Sequence, residues 1–264
     1  MPNFASAFEA GNEMKVNPTV RAAKSRYSGA KPRPNGILAV IPESEYELIR
    51  PDLETVSVRR DFLLYDGGGR IAFTYFLTSG LASLVVQTSD GRSVEVAVVG
   101  REGVVGATSF GIHRRPYRAL MQIPGNALRI PADLLEEKLQ QMPALGGVLN
   151  RYVLVRGLQI AQIAACNRLH EIDQRLARWL LMCHDRVDSD LLPVTHELLA
   201  QMLGTARPSV SLAAGVLQKT GVIEISRGAL RILKRHELES AACECYQAIR
   251  QLHRTLEAPL PANQ

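Results

Sequence analysis

Between residues 55 and 131 the hydrophobic positions fall in short runs rich in Val, Leu, Phe and Tyr, whereas beyond residue 132 they recur every three or four positions. The first texture predicts strands and the second helices. The strands read as 55–59, 62–65, 70–77, 80–88, 93–99, a piece around 117–122, and 127–131. Turn clusters divide them: Asp66-Gly67-Gly68-Gly69, Thr78-Ser79-Gly80, Ser89-Asp90-Gly91-Arg92 and Pro124-Gly125-Asn126. Short strands joined by hairpin turns predict an antiparallel barrel or roll, preceded by a short helix around Glu43 to Arg50.

The helical half opens with Ala132 to Gln141, ended by Pro143, and continues in a long helix from Ala144 to Leu169. Along it Leu145, Val148, Leu149, Tyr152, Val155, Arg156, Gln159, Ile163 and Cys166 form one stripe. At 1.5 Å per residue such a helix is about 38 Å long, a length suited to packing against its own copy. The other reading is a core helix inside one chain. A further helix, Glu171 to Asp185, carries Ile172, Leu176, Trp179, Leu180 and Met182 and is expected to back the domain that follows.

That domain begins at Pro193. Leu198, Leu199, Met202 and Leu203 form one stripe, Gly204 permits a tight turn, and Val210, Ala213, Ala214 and Leu217 form the stripe of a second helix. Thr195 stands where an N-cap belongs, and Pro208 lies near the start of the second helix, where a missing N–H costs nothing. Thr220-Gly221 stops that helix. Two strands follow, Val222 to Ile225 and Ala229 to Leu233, around the turn Ser226-Arg227-Gly228. Helix, turn, helix and hairpin make a winged helix, whose second helix is free to enter the major groove of DNA.

Charge adds little to this picture. Thirty-one Lys plus Arg against 26 Asp plus Glu leave a net charge of +5, much of it before residue 35, where Lys15, Arg21, Lys24, Arg26, Lys31 and Arg33 outnumber Glu9 and Glu13. This arm lacks hydrophobic periodicity and reads as disordered. No apolar run has the length of a membrane span or a signal core, so a cytoplasmic protein without a membrane partner is expected. Cys166, Cys183, Cys243 and Cys245 show neither a disulfide framework nor a metal-binding spacing, and they read as reduced structural thiols, with Cys243-Glu244-Cys245 the one candidate for redox activity. No metal site and no cofactor are expected. Gly67, Gly69 and Ala72 fit a loose dinucleotide-binding pattern, but the segment behind them is a strand where that site needs a helix. Nucleophile elbow, phosphate loop and zinc-protease motif are all missing from the sequence, which argues against an enzyme.

The order roll, long helix, winged helix resembles the Crp/Fnr transcription regulators over residues 36–236, most specifically from His170-Glu171-Ile172-Asp173-Gln174-Arg175 through the helix-turn-helix into the wing. The resemblance implies an α+β chain with an antiparallel β-roll of the cyclic-nucleotide-binding type (35–143), a dimerisation helix (144–169) and a winged helix (170–236); the disordered basic arm (1–34) and a helical tail (237–264) lie outside it. It implies a homodimer that reads a two-fold-related operator in double-stranded DNA, works with RNA polymerase, and answers to a small-molecule effector or to none. The alternative is a sensory module that acts through protein partners without DNA.

Site residues follow from the same resemblance. Arg207 matches the arginine that meets guanine, and its planar fork suits O6 and N7. Thr195, Thr205, Ser209, Ser211 and Arg227 are candidates for phosphate or base-edge contacts. Pro208 and Leu212 replace a base-reading glutamate and a second arginine of cyclic-nucleotide-responsive members, so a different operator is expected, with Leu212 available to a thymine methyl. In the roll, Gly106-Ala107-Thr108 followed by Arg118-Ala119 matches the phosphate cassette. Arg118 keeps the cation, but Ala107 stands where a carboxylate holds the ribose hydroxyl, which argues against ordinary cyclic AMP or cyclic GMP. An iron–sulfur cluster in the usual Fnr position is excluded because no cysteine precedes Cys166, and His113 reads as a solvated residue and not a haem ligand.

Overall fold

A computed structural model describes residues 35–107 and 116–257. The basic arm, Thr108 and His113 lie outside the described residues. Among the described residues, the first half is a roll of eight short antiparallel strands: β1 (Glu54–Val58), β2 (Leu63–Tyr65), β3 (Phe73–Leu77), β4 (Leu81–Gln87), β5 (Ser93–Val99), β6 (Val104–Val105), β7 (Arg118–Ile123) and β8 (Gly125–Pro131). They form two four-stranded sheets, in the orders β1-β8-β3-β6 and β2-β7-β4-β5. Val56, Leu77, Ala82, Leu84, Val99 and Met121 fill the space between them.

Two strand boundaries of the roll shift by more than one residue, and one strand is added to those expected. Gly125 and Asn126 pair with Val58 and Ser57, so the expected three-residue turn contracts to Pro124. The third strand starts at Phe73 and not at Arg70, whose guanidinium reaches out to Asp133 at 2.8 Å. Strand β6 is two residues long, too short to show a period.

Four helices surround the roll: α1 (Gly36–Ala39), α2 (Glu43–Ile49), α3 (Ala132–Leu139) and α4 (Pro143–Leu169). Asn35 accepts from the amides of Ile37 and Leu38, while its Nδ2 donates to the carbonyls of Leu77, Arg101 and Gly103. One buried amide thus starts α1 and ties it to the roll. The buried Glu45 carboxylate accepts from the amides of Ala144 and Leu145 at 2.9 and 2.8 Å, which satisfies donors left open at the start of α4. Pro143 opens α4, where its missing N–H costs nothing.

The stripe expected to face a second copy is buried inside this chain. Leu145 through Cys166, including Val155 and Ile163, pack on the roll and on the last helix, α9 (Cys245–Glu257). His253 and Gln159 are 2.9 Å apart across that contact. The physical reason is the tail: its amphipathic helix covers a face that the resemblance alone left open. A second face of α4 stays exposed and consists of Leu154, Gly157, Leu158, Ala161, Ala164 and Ala165, with Leu154 64% and Leu158 47% exposed. The helix is therefore apolar nearly all round.

The C-terminal half contains α5 (Ile172–His184), β9 (Leu191–Leu192), α6 (His196–Leu203), α7 (Arg207–Lys219), β10 (Ile223–Ser226), β11 (Ala229–Ile232) and α8 (Arg235–Ala241) before α9. The three strands form a sheet in the order β10-β11-β9, and β9 is an addition to the expected hairpin. Leu176, Trp179 and Leu180 of α5 pack with Leu199, Leu203, Val210 and Leu217, and also with Leu81, Val85 and Val98 of the roll. The two halves therefore share one core.

At that junction Trp179 Nε1 donates to Glu95 Oε1 at 2.7 Å, and Ser83 Oγ donates to Oε2 at 2.5 Å. Burial pushes the Glu95 carboxyl up to about 7 despite both bonds. The folded chain holds a proton that the unfolded chain releases above 4.5, so this group's contribution to stability is complete below pH 4.5 and is lost as pH rises towards 7. Glu95→Gln is expected to gain on the wild type by about 1.4 kcal/mol for each pH unit across that window. Urea unfolding of both proteins at several pH values checks this, and a pH-independent difference contradicts it.

Candidate nucleic-acid interface and roll cavity

The helix-turn-helix forms where the stripes place it. Thr195 Oγ1 accepts from the Leu198 amide at 3.2 Å and caps α6. Gly204 closes α6 in the left-handed conformation, at φ 59°. A Cβ there would lie 3.0 Å from Val94 Cγ2 of the roll, so the left-handed backbone favours glycine and the contact with the roll is close. Gln201 Nε2 donates to Ser93 Oγ at 2.6 Å, and α6 thereby rests on β5. Arg175 of α5 donates to the carbonyl of Leu203 and holds the two helices in register.

Helix α7 has two faces. Val210, Ala213, Ala214 and Leu217 are buried against α5 and α6. Arg207, Pro208, Leu212 and Val216 face outward, with Leu212 73% and Val216 49% exposed. Pro208 lies in the first turn of α7, as its fixed φ favours. Acidic residues are absent from that turn, which leaves the helix N-terminus open to negative charge.

The other candidates are spread around this face. Thr205 and Ser209 are half-buried at the turn, where the Thr205 amide donates to the Ala200 carbonyl at 3.0 Å. Ser211 Oγ lies 2.9 Å from His196 Nδ1, so its hydroxyl links α7 to α6. Arg227 is exposed at the tip of the hairpin, beside the Ser226–Ala229 pair. Sequence reasoning missed Val216. Its position one turn beyond Leu212, opposite the buried stripe, was the available signal.

A second concave site lies between the roll and α4. It is a cavity of about 210 Å3 whose lining includes Tyr65, Gly106, Ala107, Tyr117, Tyr152 and Arg156. Gly106 has φ +80°, and a Cβ would fall 2.5 Å from the Phe73 carbonyl oxygen, so the cassette backbone admits only glycine there. Arg118 does not line this cavity. Its guanidinium pairs with Asp66 at 3.1 Å. Among the described residues, the cation that lines the cavity is the buried Arg156, which donates to the Val98 carbonyl at 3.2 Å and to the Tyr152 hydroxyl. Burial pushes the Tyr152 hydroxyl up from its ordinary range, so it stays protonated. The signal for Arg156 was the one charged residue inside a mostly apolar stripe.

Comparison with known proteins assigns both halves. The profile of the cyclic nucleotide-binding domain matches residues 55–142, and that of the Crp-like helix-turn-helix domain matches residues 174–241. The chain is 25% identical to the global nitrogen regulator of Synechocystis sp. over 204 residues, which cover 72% of this chain and 88% of that protein. It is 26% identical to the anaerobic regulatory protein of Bacillus subtilis over 225 residues, covering 79% and 94%. Among solved structures, FixK2 of Bradyrhizobium japonicum superposes with a TM-score of 0.63 at 17% identity, covering 72% of this chain and 98% of that one. A roll of the cyclic nucleotide-binding type joined to a Crp-like helix-turn-helix defines a class of transcription regulators, not of enzymes. The chain belongs to the Crp/Fnr family and is a transcription regulator with a helix-turn-helix DNA-binding domain.

Proposed function

We propose that this regulator binds a two-fold-related DNA operator as a homodimer and responds to an effector other than ordinary cyclic AMP, or to none. The observation that carries this reading is the outward face of α7, where Arg207 stands at the helix start and two aliphatic side chains lie open to solvent. Arg207 reads guanine through O6 and N7, and Leu212 and Val216 meet thymine methyls. Pro208 and Ser209 flank the groove, Thr195, Thr205 and Arg227 reach phosphates, and Ser211 holds the α6–α7 angle through His196. RNA polymerase is the protein partner that such a regulator meets on its promoter.

Dimerisation runs along the exposed face of α4, where Gly157 and three alanines allow close approach and Leu154 and Leu158 fill the contact. Within the roll, an effector meets Arg156 and Tyr152. Arg118, next to the cavity-lining Tyr117, contributes only after leaving Asp66. Ala107 supplies no carboxylate for a ribose hydroxyl.

Three outcomes are expected. Arg207→Ala costs about 1 to 3 kcal/mol on the best operator and flattens the preference for it, whereas Arg227→Ala weakens all sequences about equally. Gel-shift titrations on specific and random DNA check this, and an equal loss on both for Arg207→Ala contradicts it. Replacing Leu154 and Leu158 together by Glu yields folded monomers in sedimentation, while a wild type that sediments as a monomer at micromolar concentration removes the dimer. Calorimetry shows no micromolar binding of cyclic AMP or cyclic GMP, and binding coupled to tighter operator affinity overturns that part of the reading.

A further inference from the structure

Three of the chain's cysteines and one histidine meet where the last turn of α4 touches the tail. Cys166 lies on α4, and His170 caps it four positions later on the same face. Cys243 and Cys245 come from the link between α8 and α9. Their donor atoms all lie within 4.8 Å of one another. Cys166 Sγ is 3.4 Å from Cys243 Sγ, and Cys245 Sγ is 3.6 Å from His170 Nδ1. All three cysteines are buried.

We infer that Cys166, His170, Cys243 and Cys245 form a structural site for one tetrahedral zinc ion. Zn–S bonds of about 2.3 Å and Zn–N bonds of about 2.0 Å set tetrahedral donors about 3.5 to 3.8 Å apart, close to the separations found here. A polynuclear iron–sulfur cluster spreads its ligands further. Four protein donors close the coordination shell and leave no position for a substrate, so the site is structural and not catalytic.

The surroundings supply what such a site needs. With His170 Nδ1 as the ligand, Nε2–H donates to Glu244 Oε1 at 3.1 Å, which fixes the tautomer and the ring. Gln162 Nε2 donates to Cys245 Sγ at 3.1 Å. Three thiolates around a divalent ion leave one negative charge, which faces Arg175 and Arg178 of α5. Binding releases thiol protons to solvent and changes no oxidation state. The ion pins the tail to the joint between α4 and α5, where the roll's long helix hands over to the DNA-binding half.

The spacing argument in the sequence finds no metal site because Cys166 and Cys243 are 77 positions apart and each pair alone is unremarkable. The full chain, purified without chelator, is expected to carry stoichiometric zinc by elemental analysis. The reduced, metal-free chain is expected to bind one equivalent of Co2+ with intense tetrahedral d–d bands and thiolate charge-transfer absorption. Cys166→Ser and Cys243→Ser lower zinc affinity at least tenfold, whereas His170→Cys keeps the metal and strengthens the charge-transfer band. Chelation speeds proteolysis within the tail. Failure of the reduced wild-type chain to take up Co2+ or Zn2+ at micromolar concentration overturns the site, as does a Co2+ spectrum unchanged by Cys166→Ser in a variant with wild-type circular dichroism. Iron with acid-labile sulfide in place of zinc, or a Cys166–Cys243 disulfide that persists as the sole product without metal uptake on reduction, overturns it as well.

Discussion

A long helix with apolar side chains on both faces cannot stand alone in water, and α4 is such a helix. One face is covered within the chain. Leu145, Val148, Leu149 and Val155 lie in the core that includes Leu256 of α9, and Ile163 joins the core shared with α5. The other face, built on Leu154, Leu158, Gly157 and the alanines, is exposed in the single chain and is the one proposed to meet a second copy. Because the first face also carries Arg156 into the roll cavity and Cys166 to the tail, that cavity, the thiol cluster and the proposed dimer face all lie along one helix. In the proposed dimer, anything bound in the cavity would touch the same helix that sets the distance between two DNA-binding halves.

The second constraint is the junction between roll and winged helix. Trp179 and Glu95 form a buried hydrogen bond within an apolar contact, and Gly204 lies close against Val94. Arg186 adds an ion pair with Glu102 at 2.7 Å, and Arg101 pairs with Asp188 at the surface. Exposed pairs like the last contribute about 0 to 1 kcal/mol. Shared apolar burial holds the halves together, while the polar contacts fix their angle. Since α6 rests on β5 and α7 faces away from it, the DNA-reading surface stays open in this arrangement.

The helix-turn-helix was the most legible part of the sequence. Its stripe spacing, the cap at Thr195, the glycine at Gly204 and the proline at Pro208 are local signals, and each fixes backbone geometry within a few residues. The roll strands were legible to within two or three residues for the same reason. What escaped is set by contacts between distant segments. The burial of Val155 and Ile163 depends on a tail that begins far downstream, β6 and β9 exist only through their partners, and the pairing of Arg118 with Asp66 needs the β2–β7 register. The cluster at Cys166 is the extreme case, since neither half of it has a metal-binding spacing by itself.

The central claim is that two copies joined through α4 place two α7 helices in successive major grooves. Selection of bound sequences from a random DNA pool by the full-length chain tests it most directly. The account predicts an enriched inverted repeat whose half-sites lie one helical turn apart, about 10 to 10.5 base pairs from centre to centre, or a multiple of that. Enrichment of a single unpaired half-site, or of no motif at all, would contradict it.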